Sequence, residues 1–295
     1  MGNKNENKSR SISLLKKVTF NSARFNSHAQ VIQSVGTQRD YRDCIKLYLD
    51  WCDLNAVALN TLGNKSVLMA YLEEKSEIYK QKTLDQHRMA LNASLHKKLP
   101  FVKSLLDTML VARDYRLSEV MAIIHNIQPK NAIAILLCFF SGCRAHELAT
   151  IRRIGEGERT NTRKWSDKLF SCEESFSIFL VTGKGGLCRQ IAIPNELCQV
   201  IEKRRFKHPH KVRDREIFYE MNYDLGYGKA LSQCFSRASR KHLKWSTGLH
   251  GLRHSYAKNR LKKLIKNCFN LENAKIIVSQ ELGHFRPEIT NCYLR

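Results

Sequence analysis

Apolar residues recur at helical spacing through Tyr41, Cys44, Ile45, Tyr48, Leu49 and Cys52. Thr37-Gln38-Arg39-Asp40, just ahead of them, has the form of a capping box, so a helix over about 38–53 is predicted. Two further stripes occupy about 66–78 (Val67, Leu68, Tyr71, Leu72) and 83–96 (Leu84, Leu91, Leu95), and Val102, Leu105, Leu106 and Met109 predict a fourth helix. A polar break from Ala112 to Arg116 closes this all-helical unit.

Beyond the break, Leu117-Ser118-Glu119 opens another helix. Pro129 then precedes the run 132–140, which is apolar on every side and so belongs in a core. Between 175 and 193 the texture turns to β: Phe176, Ile178, Leu180, Val181, Ile191 and Ile193 flank Thr182-Gly183-Lys184-Gly185-Gly186, the pattern of a hairpin with a lysine at its tip. Pro194 suits the first turn of the next helix, and helical patterns resume over 228–244, 251–265 and 272–281. The predicted class is mainly α with a small β-sheet: an all-helical domain over 31–112, then an α+β domain over 117–295. Residues 1–30 hold six Lys or Arg against Glu6 alone and read as a flexible basic arm.

Charge sharpens this picture. The 295 residues hold 50 Lys plus Arg against 27 Asp plus Glu, a net charge of +23, which calls for a polyanionic partner. The basic residues run through the whole chain instead of gathering on one amphipathic helix, which favours nucleic acid over a membrane surface. No apolar run approaches the ~20 residues of a membrane span, and MGNKNENKSR lacks the apolar core of a signal peptide, so a cytoplasmic protein is expected. The ten cysteines form no C-x-x-C pair, and several sit in apolar helical patterns, as reduced cysteines do; zinc ligation is not indicated.

Candidate chemistry lies in polar residues set beside these apolar helices. Arg144 and Glu147 follow Gly142, which ends the buried run; alone, such a pair reads as an ion pair. His250 and Arg253, in His250-Gly251-Leu252-Arg253-His254-Ser255, share a helical face. Near the end, Leu282-Gly283-His284 is followed by Tyr293, with Gly283 closing the helix of 272–281 and Thr290 placed to cap a short last one. Taken singly, each of these has an ordinary structural reading: a surface pair, a helical coincidence, a packing tyrosine.

Two arginines, two histidines, a hairpin lysine and a tyrosine, in the chain order Arg144, Lys184, His250, Arg253, His284 and Tyr293, resemble the active-site pattern of the tyrosine recombinase or phage-integrase family. Arg144 and Glu147 fill its first motif, and His250, Leu252, Arg253, His254 and Ser255 fill the His-x-Leu-Arg-His motif. Leu282, Gly283, His284 and Tyr293 fill the third, and Lys184 takes the place of the hairpin lysine. The motif-level match covers about 117–295, and the helical unit before it resembles the family's core DNA-binding domain in length and pattern.

The resemblance implies a site-specific recombinase that cleaves and rejoins DNA through a 3′-phosphotyrosyl bond. Arg144 and Arg253 would hold the phosphate oxygens, His250 and His284 would add hydrogen bonds and help position or deprotonate the nucleophile Tyr293, and Lys184 would protonate the departing 5′ oxygen. Glu147 would orient the arginines. No cofactor is expected, since a phosphotyrosine ester keeps the energy of the broken bond and the chain holds no phosphate loop or acidic metal cluster. The expected partners are duplex DNA with specific sites, further copies of the chain (a tetramer on two paired sites), and accessory DNA-bending or directionality proteins. Lys229, Arg237, Arg240, Lys241 and Lys244 are the candidate DNA contacts, with a solvated basic face as the alternative. The two domains would close as a clamp on the duplex. Only two residues follow Tyr293, whereas the family's chains continue into a segment that docks on a neighbouring subunit, which leaves the mode of subunit exchange open. A type IB topoisomerase would use the same catalytic set, and a noncatalytic DNA-binding protein would need only the charge.

Overall fold

The computed structural model describes residues 35–106, 113–215 and 217–293, and of Val35, Lys184, Ile289 and Cys292 the backbone alone. The basic arm expected over 1–30, and Met109, lie outside the described residues. Contacts divide the chain between residues 109 and 110 into two units, each with its own core.

Among its described residues the first unit packs three α-helices, α1 (Val35–Leu54), α2 (Lys65–Ser76) and α3 (Gln81–Leu95). Their stripes meet in a core of Tyr48, Trp51, Leu68, Tyr71, Leu72, Leu84 and Leu91, where Tyr71 stands edge-on to Tyr48 (centroids 5.1 Å apart) and to Trp51 (5.4 Å). The buried hydroxyl of Tyr71 is 2.8 Å from His87 Nδ1, which satisfies both groups.

Two expectations fail in this unit. Thr37 lies inside α1 and is not its cap; Asp40, the presumed far end of the box, instead pairs with Arg39 at 2.8 Å. Val102, Leu105 and Leu106 are not helical: residues 97–106 run without regular structure. Pro100 cannot donate to a helix, and the loop between α2 and α3 takes up the segment's polar groups. Ser104 N–H donates to Gln81 Oε1 (2.8 Å), its hydroxyl to Tyr79 O (2.6 Å), and Leu105 N–H to Ser76 O (2.9 Å).

In the second unit α4 (Leu117–Ile124) leads to α5 (Pro129–Ser141), the buried helix, with Pro129 in its first turn and Ala134, Ile135, Leu137 and Cys138 wholly enclosed. A three-stranded antiparallel sheet, β1 (Arg152–Arg153), β2 (Phe176–Thr182) and β3 (Cys188–Pro194), covers it, with Phe179, Val181, Ile191 and Ile193 in the shared core. Pro194 ends β3, and α6 (Asn195–Glu202) starts one residue later than predicted. A second hairpin, β4 (Arg205–Asp214) with β5 (Ile217–Tyr223), has no counterpart in the sequence reading. Then come α7 (Gly228–Leu243), α8 (His250–Lys266) and α9 (Leu271–Glu281).

The polar break is not a bare linker. Tyr115 is 2% exposed, stacks on Trp245 (4.7 Å) and donates its N–H to Ser255 Oγ at 2.8 Å, so the packing of this unit begins upstream of residue 117. Among the described residues no helix is long and apolar enough to cross a membrane.

Candidate active site

Gly142 begins the site. It ends α5 at φ +64°, and a Cβ there would lie 2.7 Å from both Leu282 and Tyr256, so only glycine lets the helix end approach α8 and the chain after α9 this closely. The turn delivers Arg144 and Glu147. Glu147 is fully buried and accepts from the Arg144 N–H (2.9 Å) and from Arg144 Nη1 (2.7 Å). Burial favours its neutral form, but Arg189, Arg253 and Arg144 overcome this and hold the carboxyl well below the usual range.

At the C-terminal end of α9, Gly283 (φ +72°) lets the chain reverse, and the His284 N–H donates to Ser279 O at 2.7 Å. The turn aims the His284 ring back at Arg144, whose Nη2 lies 3.2 Å from His284 Nε2. A guanidinium only donates, so Nε2 is the unprotonated nitrogen and the ring proton sits on Nδ1. Desolvation first, then the charges of Arg253, Arg144 and Arg189, push the His284 pKa down to about 3.

The first turn of α8 carries His250 and Arg253. Arg253 is 1% exposed; its terminal nitrogens donate to the carbonyls of Gly142 and Leu282, and its Nε lies 3.3 Å from Tyr293 Oη. Burial, then repulsion from Arg144, lowers its pKa to about 10. His250 keeps an exposed edge, yet desolvation by the protein around its ring, followed by Arg253, His254, Arg144 and Arg113, brings it down to about 4. The His254 ring meets Tyr293 edge-on, with centroids 4.8 Å apart.

Tyr293 ends a 3-10 turn over Pro287–Tyr293 and is 6% exposed. Thr290 does not cap that turn; it is buried inside it and its hydroxyl reaches Lys275 O on α9 at 3.4 Å, anchoring the segment. The phenol oxygen thus lies 3.1 Å from a neutral imidazole nitrogen and 3.3 Å from a buried guanidinium. Such a phenol has a proton acceptor and a cationic neighbour within reach.

Arg144, Glu147, His250, Arg253, His284 and Tyr293 therefore come together in one place. The backbone of Lys184 sits at the hairpin tip, in a turn over Lys184–Gly186; its side chain lies outside the described residues. The root of the hairpin adjoins the site: a Cβ on Gly183 would lie 2.9 Å from Glu147 Oε1, and a cavity of about 190 Å³ opens between Arg144, Gly183, Leu187, Gly283 and His284. Lys229, Arg237, Arg240, Lys241 and Lys244 lie apart from it, exposed on or just past α7. Three of them, Lys229, Arg237 and Arg240, line a cleft of about 440 Å³ with Arg215 from the β4–β5 turn. Among the described residues no group of His, Cys, Asp and Glu is placed to hold a metal ion.

The sequence reading missed Arg189, Arg260 and Glu281. Arg189 stands opposite Val181 in the β2–β3 ladder and two residues from Ile191, facing inward. A lone arginine in an apolar strand was the available signal, since a buried charge must find partners. Its partners are Glu147 Oε2 (2.8 Å) and Glu281 O (2.7 Å). Glu281 in turn accepts from Arg260 (2.7 and 2.9 Å), Tyr256 (2.8 Å) and the Phe170 N–H (2.8 Å).

No protein-family model matches the chain, and no curated protein matches it in sequence. Its fold is similar to solved structures of recombinases. A lambda integrase dimer bound to a core site superposes with a TM-score of 0.57 at 15% identity, over 97% of this chain and 95% of that one. The XerH site-specific recombinase bound to its difH substrate gives 0.54 at 16% identity, over 87% and 75%. The Tn1549 transposon integrase in complex with circular intermediate DNA gives 0.51 at 16% identity, over 97% and 94%. Identities this low speak for the fold: the chain folds as tyrosine recombinases do, mainly helical with small antiparallel sheets.

Proposed function

We propose that this protein is a site-specific DNA recombinase that cleaves and rejoins strands through a covalent bond between Tyr293 and a DNA 3′-phosphate. The observation that carries the proposal is the placement of Tyr293 Oη between His284 Nε2 (3.1 Å) and Arg253 Nε (3.3 Å), with Arg144 bonded to the same histidine.

A phosphodiester under attack gains charge on its nonbridging oxygens, and two guanidiniums beside the nucleophile supply fixed donors where that charge grows. Tyrosine phenols titrate near pH ~10 in water and need help to attack at neutral pH. Neutral His284 accepts a hydrogen bond from the phenol at Nε2, a phosphate bound among the arginines raises its basicity so that it takes the Tyr293 proton as the bond to phosphorus forms, and Arg253 favours the phenolate. The Tyr293 oxygen bonds to phosphorus, the P–O5′ bond breaks, and the 5′ oxygen takes a proton; Lys184 is the donor we assign, from its place at the hairpin tip. One ester replaces another, so a 5′ hydroxyl from a second strand reverses the step without ATP. Glu147, paired on both oxygens, orients Arg144.

The substrate is duplex DNA with specific sites, and the active assembly is a homo-oligomer, a tetramer on two paired sites, aided by accessory DNA-bending or directionality proteins. Residues 31–112 are its helical DNA-binding domain, 117–295 its catalytic domain, and 1–30 a basic arm that adds phosphate contacts. Likeness to a transposon integrase and to lambda integrase supports integration or excision of a mobile element as its role.

Wild type and Tyr293→Phe are mixed with a nicked suicide duplex carrying the site found beside the gene, then run on a denaturing gel. Wild type is expected to give a protein–DNA adduct that survives denaturation, and Tyr293→Phe none, although it binds the DNA at least as tightly. No adduct from wild type on DNA it binds sinks the proposal, and relaxation of a supercoiled plasmid without recombinants from two paired sites would make the enzyme a topoisomerase.

A further inference from the structure

Arg189 ties together three segments that the proposed chemistry needs. It is carried by β3, the strand that returns from the hairpin tip, and its side chain is 1% exposed. One terminal nitrogen pairs with Glu147 Oε2 at 2.8 Å, on the carboxylate whose other oxygen holds Arg144 Nη1 at 2.7 Å. The other donates to Glu281 O at 2.7 Å, at the C-terminal end of α9. The next carbonyl along, Leu282 O, holds Arg253, and the residue after Gly283 is His284. Gly283 packs directly on the guanidinium stem: a Cβ there would lie 3.0 Å from Arg189 Cδ and 3.3 Å from its Nε. That Nε is buried without a hydrogen-bond partner, and the residue lines the cavity shared by Arg144, Gly183 and His284.

An arginine costs several kcal/mol to bury, which only good partners offset. Arg260 and Tyr256 already lock Glu281 through its carboxylate, so α9 does not need Arg189 for its own anchorage. Contact with Glu147 on one side and the α9 end on the other fixes the spacing between them, hence between Arg144 and His284.

We propose that Arg189 is a positioning residue: it holds the Arg144–Glu147 pair, the His284 turn and the root of the Lys184 hairpin in one register. It acts through those groups and does not touch the reacting atoms. The inference rests on the function proposed above. Lysine at this position keeps the charge but cannot make two divergent hydrogen bonds from a rigid fork, whereas methionine removes the charge at similar length.

The test uses the full chain as Arg189→Lys and Arg189→Met, with circular dichroism and thermal melting to establish folding. Adduct formation on the suicide duplex is followed in single turnover at saturating protein, beside the DNA Kd. Arg189→Lys is expected to fold, to bind DNA within twofold of wild type, and to form adduct roughly 10–100-fold more slowly, the loss that a displaced catalytic geometry brings. Arg189→Met is expected to slow it further.

A second readout needs no DNA. His284 faces Arg253, Arg144, Arg189, Glu147 and Tyr293; in Arg189→Met one neighbouring cation is gone, so its titration midpoint, read by NMR, rises. Loss of the charge alone gives that rise, so the positioning role is read in Arg189→Lys, which keeps the cation: a midpoint that shifts in this variant while it stays folded reports a moved geometry. An Arg189→Lys variant with the wild-type rate at saturation overturns the inference, as does a loss confined to Kd, or an unmoved midpoint in folded Arg189→Lys. If both variants fail to fold, Arg189 serves the fold and the inference falls. Wild type forming no adduct would sink the proposed function alone, leaving the titration to judge Arg189.

Discussion

His284 is the residue whose environment has the clearest measurable consequence. Desolvation, and after it the charges of three arginines, take its pKa from the ordinary ~6.5 to about 3. The folded protein therefore keeps it neutral at pH values where the unfolded chain has already bound a proton. Unfolding then takes up protons between the two pKa values, so stability is fully present above pH ~6.5 and falls as the pH drops from there towards the folded value. The slope from His284 approaches ~1.4 kcal/mol per pH unit in that window. His250, lowered to about 4 but with an exposed edge, adds less, and buried His87, also lowered to about 4, adds a like contribution to the first unit. Thermal melts of wild type and His284→Asn at pH 7, 6 and 5 separate these. The variant is expected to lose less Tm on acidification than wild type, and parallel curves would mean that His284 titrates as an ordinary histidine. DNA has the opposite sign: a phosphate among these arginines favours the imidazolium, so affinity should rise more steeply on acidification in wild type than in His284→Asn.

Elements place these residues, and glycines at element ends decide how closely they meet. Gly142→Ala faces two costs, a left-handed φ of +64° and a Cβ 2.7 Å from Leu282 and Tyr256, whereas Gly185 at the hairpin tip has a similar φ of +75° with open space around it. Gly142→Ala should therefore destabilise by about 2–4 kcal/mol and Gly185→Ala by only about 1 kcal/mol, read from urea midpoints. Equal losses would refute the close-packed end of α5. Elements also set what the sequence could tell. The buried helix was legible between Pro129 and Gly142, and the β2–β3 hairpin between its alternating strands, because local patterns specify both. The β4–β5 hairpin was not, since β4 is a surface strand in which Lys207, His208, His210, Lys211 and Arg213 are all exposed, leaving no apolar alternation to read. The irregular course of 97–106 depends on Gln81, Tyr79 and Ser76, which no periodicity in the segment itself announces. Within the site, motif spacing brought Arg144, His250, Arg253, His284 and Tyr293 forward. Arg189 and Glu281 stayed hidden because their bonds span 42 and 92 residues of sequence.

At the scale of the whole molecule the governing quantity is the net charge of +23, and the proposed function asks which of these cations would meet DNA. Exposed charge alone does not answer it, because a solvated lysine and a phosphate-bound one look alike from composition. The cleft beside α7 is more specific: Arg215, Lys229, Arg237 and Arg240 line it with Ser232, Gln233 and Ser236, and among the described residues no carboxylate lines it. The turn that brings Arg215 there is fixed to α7, since Asp214 accepts from the Lys229 N–H at 3.0 Å. Each phosphate neutralised on duplex DNA releases counterions and steepens the fall of log K with log salt by about 0.9. Replacing Lys229, Arg237 and Arg240 together by glutamine should make that slope shallower by about 2.7 if each meets one phosphate. The active site lies elsewhere on the unit, so the adduct should still form at the wild-type rate once DNA is saturated. An unchanged salt slope would make this a solvated basic face and move the search for DNA contacts to the rest of the chain. A slope that falls together with the saturated rate would instead mean that the cleft positions the scissile step as well as holding the backbone, because bulk electrostatic attraction acts on affinity and not on a bound complex.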